Sequence, residues 1–202
     1  GIRGHFFNDK AHLALEPRIS AKLNFHRWSL QFAGGTFTQN LMAATSDRDI
    51  VSLFQGFLAA PENIAAAPLD HPLQKAWHAL AGLQLELLPG LETILEGWYK
   101  NFTQLSNINR LRLFPEAPIY LAETGEAVGF DVSLKYRRRN LYLYLTYGLA
   151  RVDRHDRYND VTYFPIFDRR HTVNFGGVYD LGRITHGITG QKLEAKWSFS
   201  AR

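Results

Sequence analysis

The chain has 202 residues, enough for one domain or two, with 23 Lys and Arg against 19 Asp and Glu, a formal net charge of +4 and a mean hydropathy of −0.22. Cations and acids interleave, so no basic footprint for nucleic acid is present. The absence of cysteine excludes disulfides and thiolate metal sites.

Aromatic residues are frequent for so polar a chain: 14 Phe, 9 Tyr and 4 Trp. No apolar run approaches the roughly 20 residues of a spanning helix, and no charged segment followed by an apolar one opens the chain. It starts at Gly1 and stops at Arg202 inside what reads as a strand. The expectation is therefore part of a longer protein, with any signal peptide upstream.

A short strand is expected around Ile2 to Phe6, then a connection at Asn8-Asp9-Lys10. From Leu13 to Phe25 every odd position is apolar, and every even one except Ala14 is polar or charged, with Glu16, Arg18, Lys22 and Asn24 among them. A period of two puts the two sets on opposite faces of a strand. That polar face is too charged for a dry interior, and runs of about 9–11 residues suit tilted membrane strands better than soluble ones. The pattern returns with Trp28, Leu30 and Phe32, then with Ala81, Leu83, Leu85 and Leu87, and with Leu91, Thr93, Leu95 and Tyr99. It returns again with Val128 to Tyr136, Leu141 to Tyr147, Val173 to Leu181 and Ala195 to Ala201, making about nine strands.

Tight turns are expected at His26-Arg27, Pro89-Gly90 and Arg138–Asn140, with Pro-Gly in the central positions of a type II turn. Long connections fall at roughly 40–73, 105–125 and 153–167, and a helix capped by Ser46, with Asp49 three residues on and Ile50, Leu53 and Phe54 on one face, is expected in the first. Short turns at one end and long loops at the other are the outer-membrane arrangement. The expected fold is all-β: residues 1–202 form part of one antiparallel up-and-down transmembrane β-barrel, about nine strands of a larger one, with a short helix in an extracellular loop.

Several stretches carry a family likeness. Leu15-Glu16-Pro17-Arg18-Ile19-Ser20 resembles a strand of TonB-dependent outer-membrane receptors. The stretch from Trp77 to Gln84, with Glu96-Gly97-Trp98-Tyr99-Lys100, resembles one of their hairpins, and Tyr163 to His171 followed by Asn174 resembles a loop-to-strand signature. The resemblance covers most of the chain and places it in the middle-to-late barrel. Family features missing from it are the N-terminal plug and the segment that engages TonB. The resemblance implies energy-coupled import of a bulky nutrient such as an iron chelate, cobalamin or glycan. It also implies outer-membrane lipid and, through the plug, the TonB complex as partners, with a surface lipoprotein as a further candidate.

Ligand contact is expected from Arg154, His155, Tyr158, Tyr163 and Phe164, because amphipathic rings beside cations suit an organic anion or a sugar. No catalytic residue, metal site or cofactor is expected. The His155-Asp156 and Asp168–His171 clusters lack zinc-motif spacing, no G-x-S-x-G elbow occurs, and Glu86, Glu92 and Glu96 read as solvated charges. Two other readings stand beside the importer: a passive porin or structural barrel, and a soluble ligand-binding β-barrel or barrel-borne hydrolase.

Overall fold

The computed structural model describes residues 1–7, 12–43, 57–59, 73–109, 112–185 and 192–201. In chain order the strands are β1 (Ile2–Phe7), β2 (His12–Asn24), β3 (Trp28–Gln39), β4 (Leu41–Ala43), β5 (Phe57–Ala59) and β6 (Gln74–Leu88). They continue with β7 (Leu91–Ile108), β8 (Tyr120–Arg138), β9 (Leu141–Asp156), β10 (Val161–Tyr163), β11 (His171–Thr185) and β12 (Lys192–Ala201). Among the described residues there is no helix. The helix expected at Ser46 to Phe54 lies outside them.

Nine strands follow one another as an antiparallel up-and-down sheet in the order β1-β2-β3-β6-β7-β8-β9-β11-β12, and β10 pairs with the upper end of β9. A separate hairpin, β4 with β5, sits within the long connection after β3. No pairing among the described residues joins β1 to β12. Three tight connections lie at one end, at residues 25–27, Pro89-Gly90 and Arg139-Asn140. Gly90 has φ 83°, the left-handed value that the second central residue of a type II turn requires.

The register explains why alternation along each strand becomes a two-faced sheet. Leu23, Leu30, Leu83, Leu95, Val132, Tyr147 and Val173 are successive cross-strand partners over seven strands. One residue along, Lys22, Gln31, Gly82, Glu96, Asp131, Gly148 and Thr172 form the adjacent row. Facing partners in an antiparallel pair lie on the same side, so apolar and polar residues are sorted to opposite faces across the whole width. A slip of one residue in any pair would mix them.

The apolar face is the open one. Ile19 is 76 % exposed, Leu15 63 %, and Phe32, Phe130, Leu145 and Phe175 are all exposed too. Among the described residues the buried polar or charged group (Glu16, Thr93, Asn107, Asn109, Glu123, Arg154 and Asp156) outnumbers the buried apolar one, which contains only Ala and Leu. A water-soluble sandwich has the reverse distribution. A hollow of about 520 Å³ draws its lining from six neighbouring strands, from Lys22 on β2 to Tyr142 on β9. Side chains that many strands apart share one hollow only where the sheet curls around its polar face.

Candidate functional site: the upper polar face

At the end of the sheet bearing the long connections, the polar face carries a row of cations and rings. The Arg18 guanidinium lies 4.4 Å from the Phe37 ring centre, and Phe37 stacks on His78 at 4.5 Å with 27° between planes. His78 meets Phe102 nearly edge-on at 6.5 Å, and Arg154 lies 4.8 Å over the other end of the row, on Phe102. The row crosses β2, β3, β6, β7 and β9, skipping β8 because its residue there is Gly125. A Cβ on Gly125 would sit 2.9 Å from Arg154 Cδ. The Asp153 carbonyl oxygen would be nearer still, at 2.7 Å, so a larger residue would have to displace the β9 backbone as well as Arg154.

Glu16 anchors the first cation. Its carboxylate accepts from Arg18 Nη2 at 2.6 Å, from the Thr38 amide at 2.7 Å and from Thr38 Oγ1 at 2.8 Å, with His5 Nε2 3.9 Å away. A carboxylate 1 % exposed is tolerable only with such partners. Beside these groups is a hollow of about 400 Å³ whose lining includes Arg3, Arg18, Phe37, Lys75, His78 and Phe102.

The second cluster holds the long connection after β9 in place. Glu123, 2 % exposed, accepts from Tyr163 Oη at 2.8 and 3.0 Å and from Asn107 Nδ2 at 3.2 Å. Asp156 Oδ1 accepts from the amides of Tyr158 and Asn159, at 3.0 and 3.2 Å, and its Oδ2 from Asn159 Nδ2 at 2.7 Å. This is an Asx-type turn, with an Asp side chain standing in for a backbone acceptor.

The five residues singled out from sequence do not meet in one place. Tyr163 pairs with Arg154, so the two share the polar face. His155 pairs with Thr162 on the opposite face, with Nδ1 3.1 Å from Thr162 Oγ1 and Nε2 3.6 Å from Asp160. Tyr158 sits exposed in the turn after β9. Phe164 is exposed between the guanidinium groups of Arg151 and Arg170, at 5.5 and 4.8 Å. Asp168 binds Arg170 at 3.0 Å and the Val152 amide at 2.9 Å, fastening this connection to β9.

None of Arg18, Phe37, His78 and Phe102 was among the ligand contacts expected from sequence. Their common signal is a polar-face position near the long-loop end of a strand, and only the cross-strand register joins them. Glu86, Glu92 and Glu96, expected as solvated charges, lie nearer the short-turn end. Glu92 accepts from Gln84 at 3.0 Å and lies 3.9 Å from Lys135, while Gln31 reaches Glu96 at 3.4 Å. No group of three or more His, Asp or Glu able to hold a metal occurs among the described residues.

No family model, curated protein or solved structure was found to match the chain.

Proposed function

We propose that the chain forms part of the wall of a bacterial outer-membrane β-barrel, the barrel of a TonB-dependent importer of a bulky nutrient. The observation carrying this reading is the height of the exposed apolar band. On β8 the outward set runs from Val128 to Tyr136 and gives way to Glu126 above and Arg138 below. On β9 it runs from Leu141 to Leu149 and gives way to Arg151. About nine residues at ~3.3 Å each, tilted as barrel strands are, rise roughly 20–25 Å, matching the apolar band of such barrels. The strands themselves have 19 and 16 residues, so their upper ends would stand clear of the lipid.

In this reading the polar face lines a watery lumen, the short turns are periplasmic and the upper row of cations and rings faces arriving ligand. Among the described residues β1 and β12 each lack a partner on one side, and in this reading further strands would pair there, since unpaired backbone is not tolerated in lipid. The importing, energy-coupled part rests on the sequence resemblance and on the long-loop end holding the densest polar chemistry.

The test is folding into lipid vesicles. The chain should gain β-structure on mixing with phosphatidylcholine vesicles and float with them in a density gradient. A folded, monodisperse monomer in detergent-free buffer would refute the membrane reading. In planar bilayers an importer barrel with its plug should stay closed, whereas steady ion conductance by the intact protein would favour a passive porin.

A further inference from the structure

The hollow beside the Arg18 row is built for anions. Phe37 has Arg18 against it from β2 and His78 from β6, so both of its faces are covered and its edge is what remains. Phe102 has Arg154 over its ring and stands nearly perpendicular to the His78 ring. Ring edges carry the positive end of the aromatic quadrupole, and a guanidinium over a face polarises the ring further in that sense. The charged side chains lining the hollow agree: Arg3, Arg18 and Lys75 stand against the single carboxylate of Glu16. That carboxylate is already occupied by Arg18 and Thr38.

Arg18 is also held ready. Glu16 takes one terminal nitrogen, the Phe37 ring lies against its plane, and its Nε is a buried donor with no hydrogen-bond partner. A guanidinium fixed this way loses little freedom on meeting a carboxylate, which is what makes such a contact strong. We infer that this hollow, between Arg3, Arg18 and the Phe37–His78–Phe102 row, binds a small carboxylate-rich anion. The inference names a ligand class for the import reading and rests on it for a role in uptake, but binding is measured without transport.

The probe is propane-1,2,3-tricarboxylate, with its trimethyl ester as the neutral match, titrated calorimetrically into the folded chain. The acid should bind, the ester should not, and affinity should fall as salt rises. Arg18→Gln should weaken binding about tenfold, the scale of one charge-assisted hydrogen bond. Because Arg18 supports buried Glu16, Arg3→Gln on exposed Arg3 is the second variant, expected to lose a few-fold through charge alone. Equal binding of acid and ester, no binding of either, or unchanged affinity in both variants would overturn the inference. A chain that enters vesicles but ignores the acid refutes the anion site alone. One that binds the acid but never enters vesicles keeps the site and loses the import role.

Discussion

The middle of the sheet and its upper end use the same strands for opposite purposes. In the middle, apolar and polar residues largely alternate, and large side chains of the apolar face such as Phe130, Leu145 and Phe175 stay exposed. At the upper end Leu121, Ala122 and Glu123 are buried one after another, so both faces of β8 are covered there. Its cohesion comes from Tyr163 and Asn107 on Glu123 and from the Asp156 turn, beside a small set of buried apolar side chains that includes Leu105, Leu121 and Ala122. The contrast teaches that the solvent each region faces decides its chemistry. A band in lipid needs no partner for its apolar side chains, while a rim in water must satisfy every buried charge internally.

The comparison breaks most sharply with Phe130→Arg. A guanidinium on the exposed apolar face should cost about 2–4 kcal/mol of folding stability in vesicles, measured by urea titration, if that position faces the bilayer middle. Glu123→Ala should cost about 1–3 kcal/mol, since it removes the acceptor of the Tyr163 hydroxyl and one acceptor of the buried Asn107 amide. Its effect should persist in detergent of any apolar thickness, because lipid plays no part in it. Gly129→Ala should cost about 1–3 kcal/mol by the same titration, because its Cβ would run into the Trp98 ring, which donates to Asp131 at 2.7 Å. Ser133→Arg, on the polar face one row from the band, should change stability by less than about 0.5 kcal/mol.

Much of the middle was legible in the sequence because one rule governs it. Period two, read from Leu13, Val128 or Leu141 onward, gives the face of every residue, and the Pro89-Gly90 turn fixes where two strands meet. The upper end was not legible, for physical reasons that differ by strand. On β7 a register shift between Phe102 and Leu105 reverses which residues face which way, so alternation cannot be followed past it. On β8 the stretch from Leu121 to Ala127 is covered on both faces at several positions, which removes the contrast that alternation depends on. The strands consequently run further than the pattern suggests, through Ile108 on β7 and from Tyr120 on β8. The candidate site was legible only in part. Arg154 and Tyr163 do share a face, but pairing β10 with β9 turns His155 the other way. Arg18, Phe37, His78 and Phe102 are far apart in sequence, and each alone reads as an ordinary strand residue.

The two-faced arrangement can be tested directly because the chain has no cysteine, so single cysteines can be labelled without background. A polarity-sensitive fluorophore would be placed in turn at Phe130, Leu145 and Phe175 on one face, and at Ser133, Thr146 and Asn174 on the other, in vesicles of lipid brominated along its acyl chains. Strong quenching at the first three positions and little at the second three is the expected result. Comparable quenching on both faces, or none at Phe130, Leu145 and Phe175, would contradict the assignment of the apolar face to lipid.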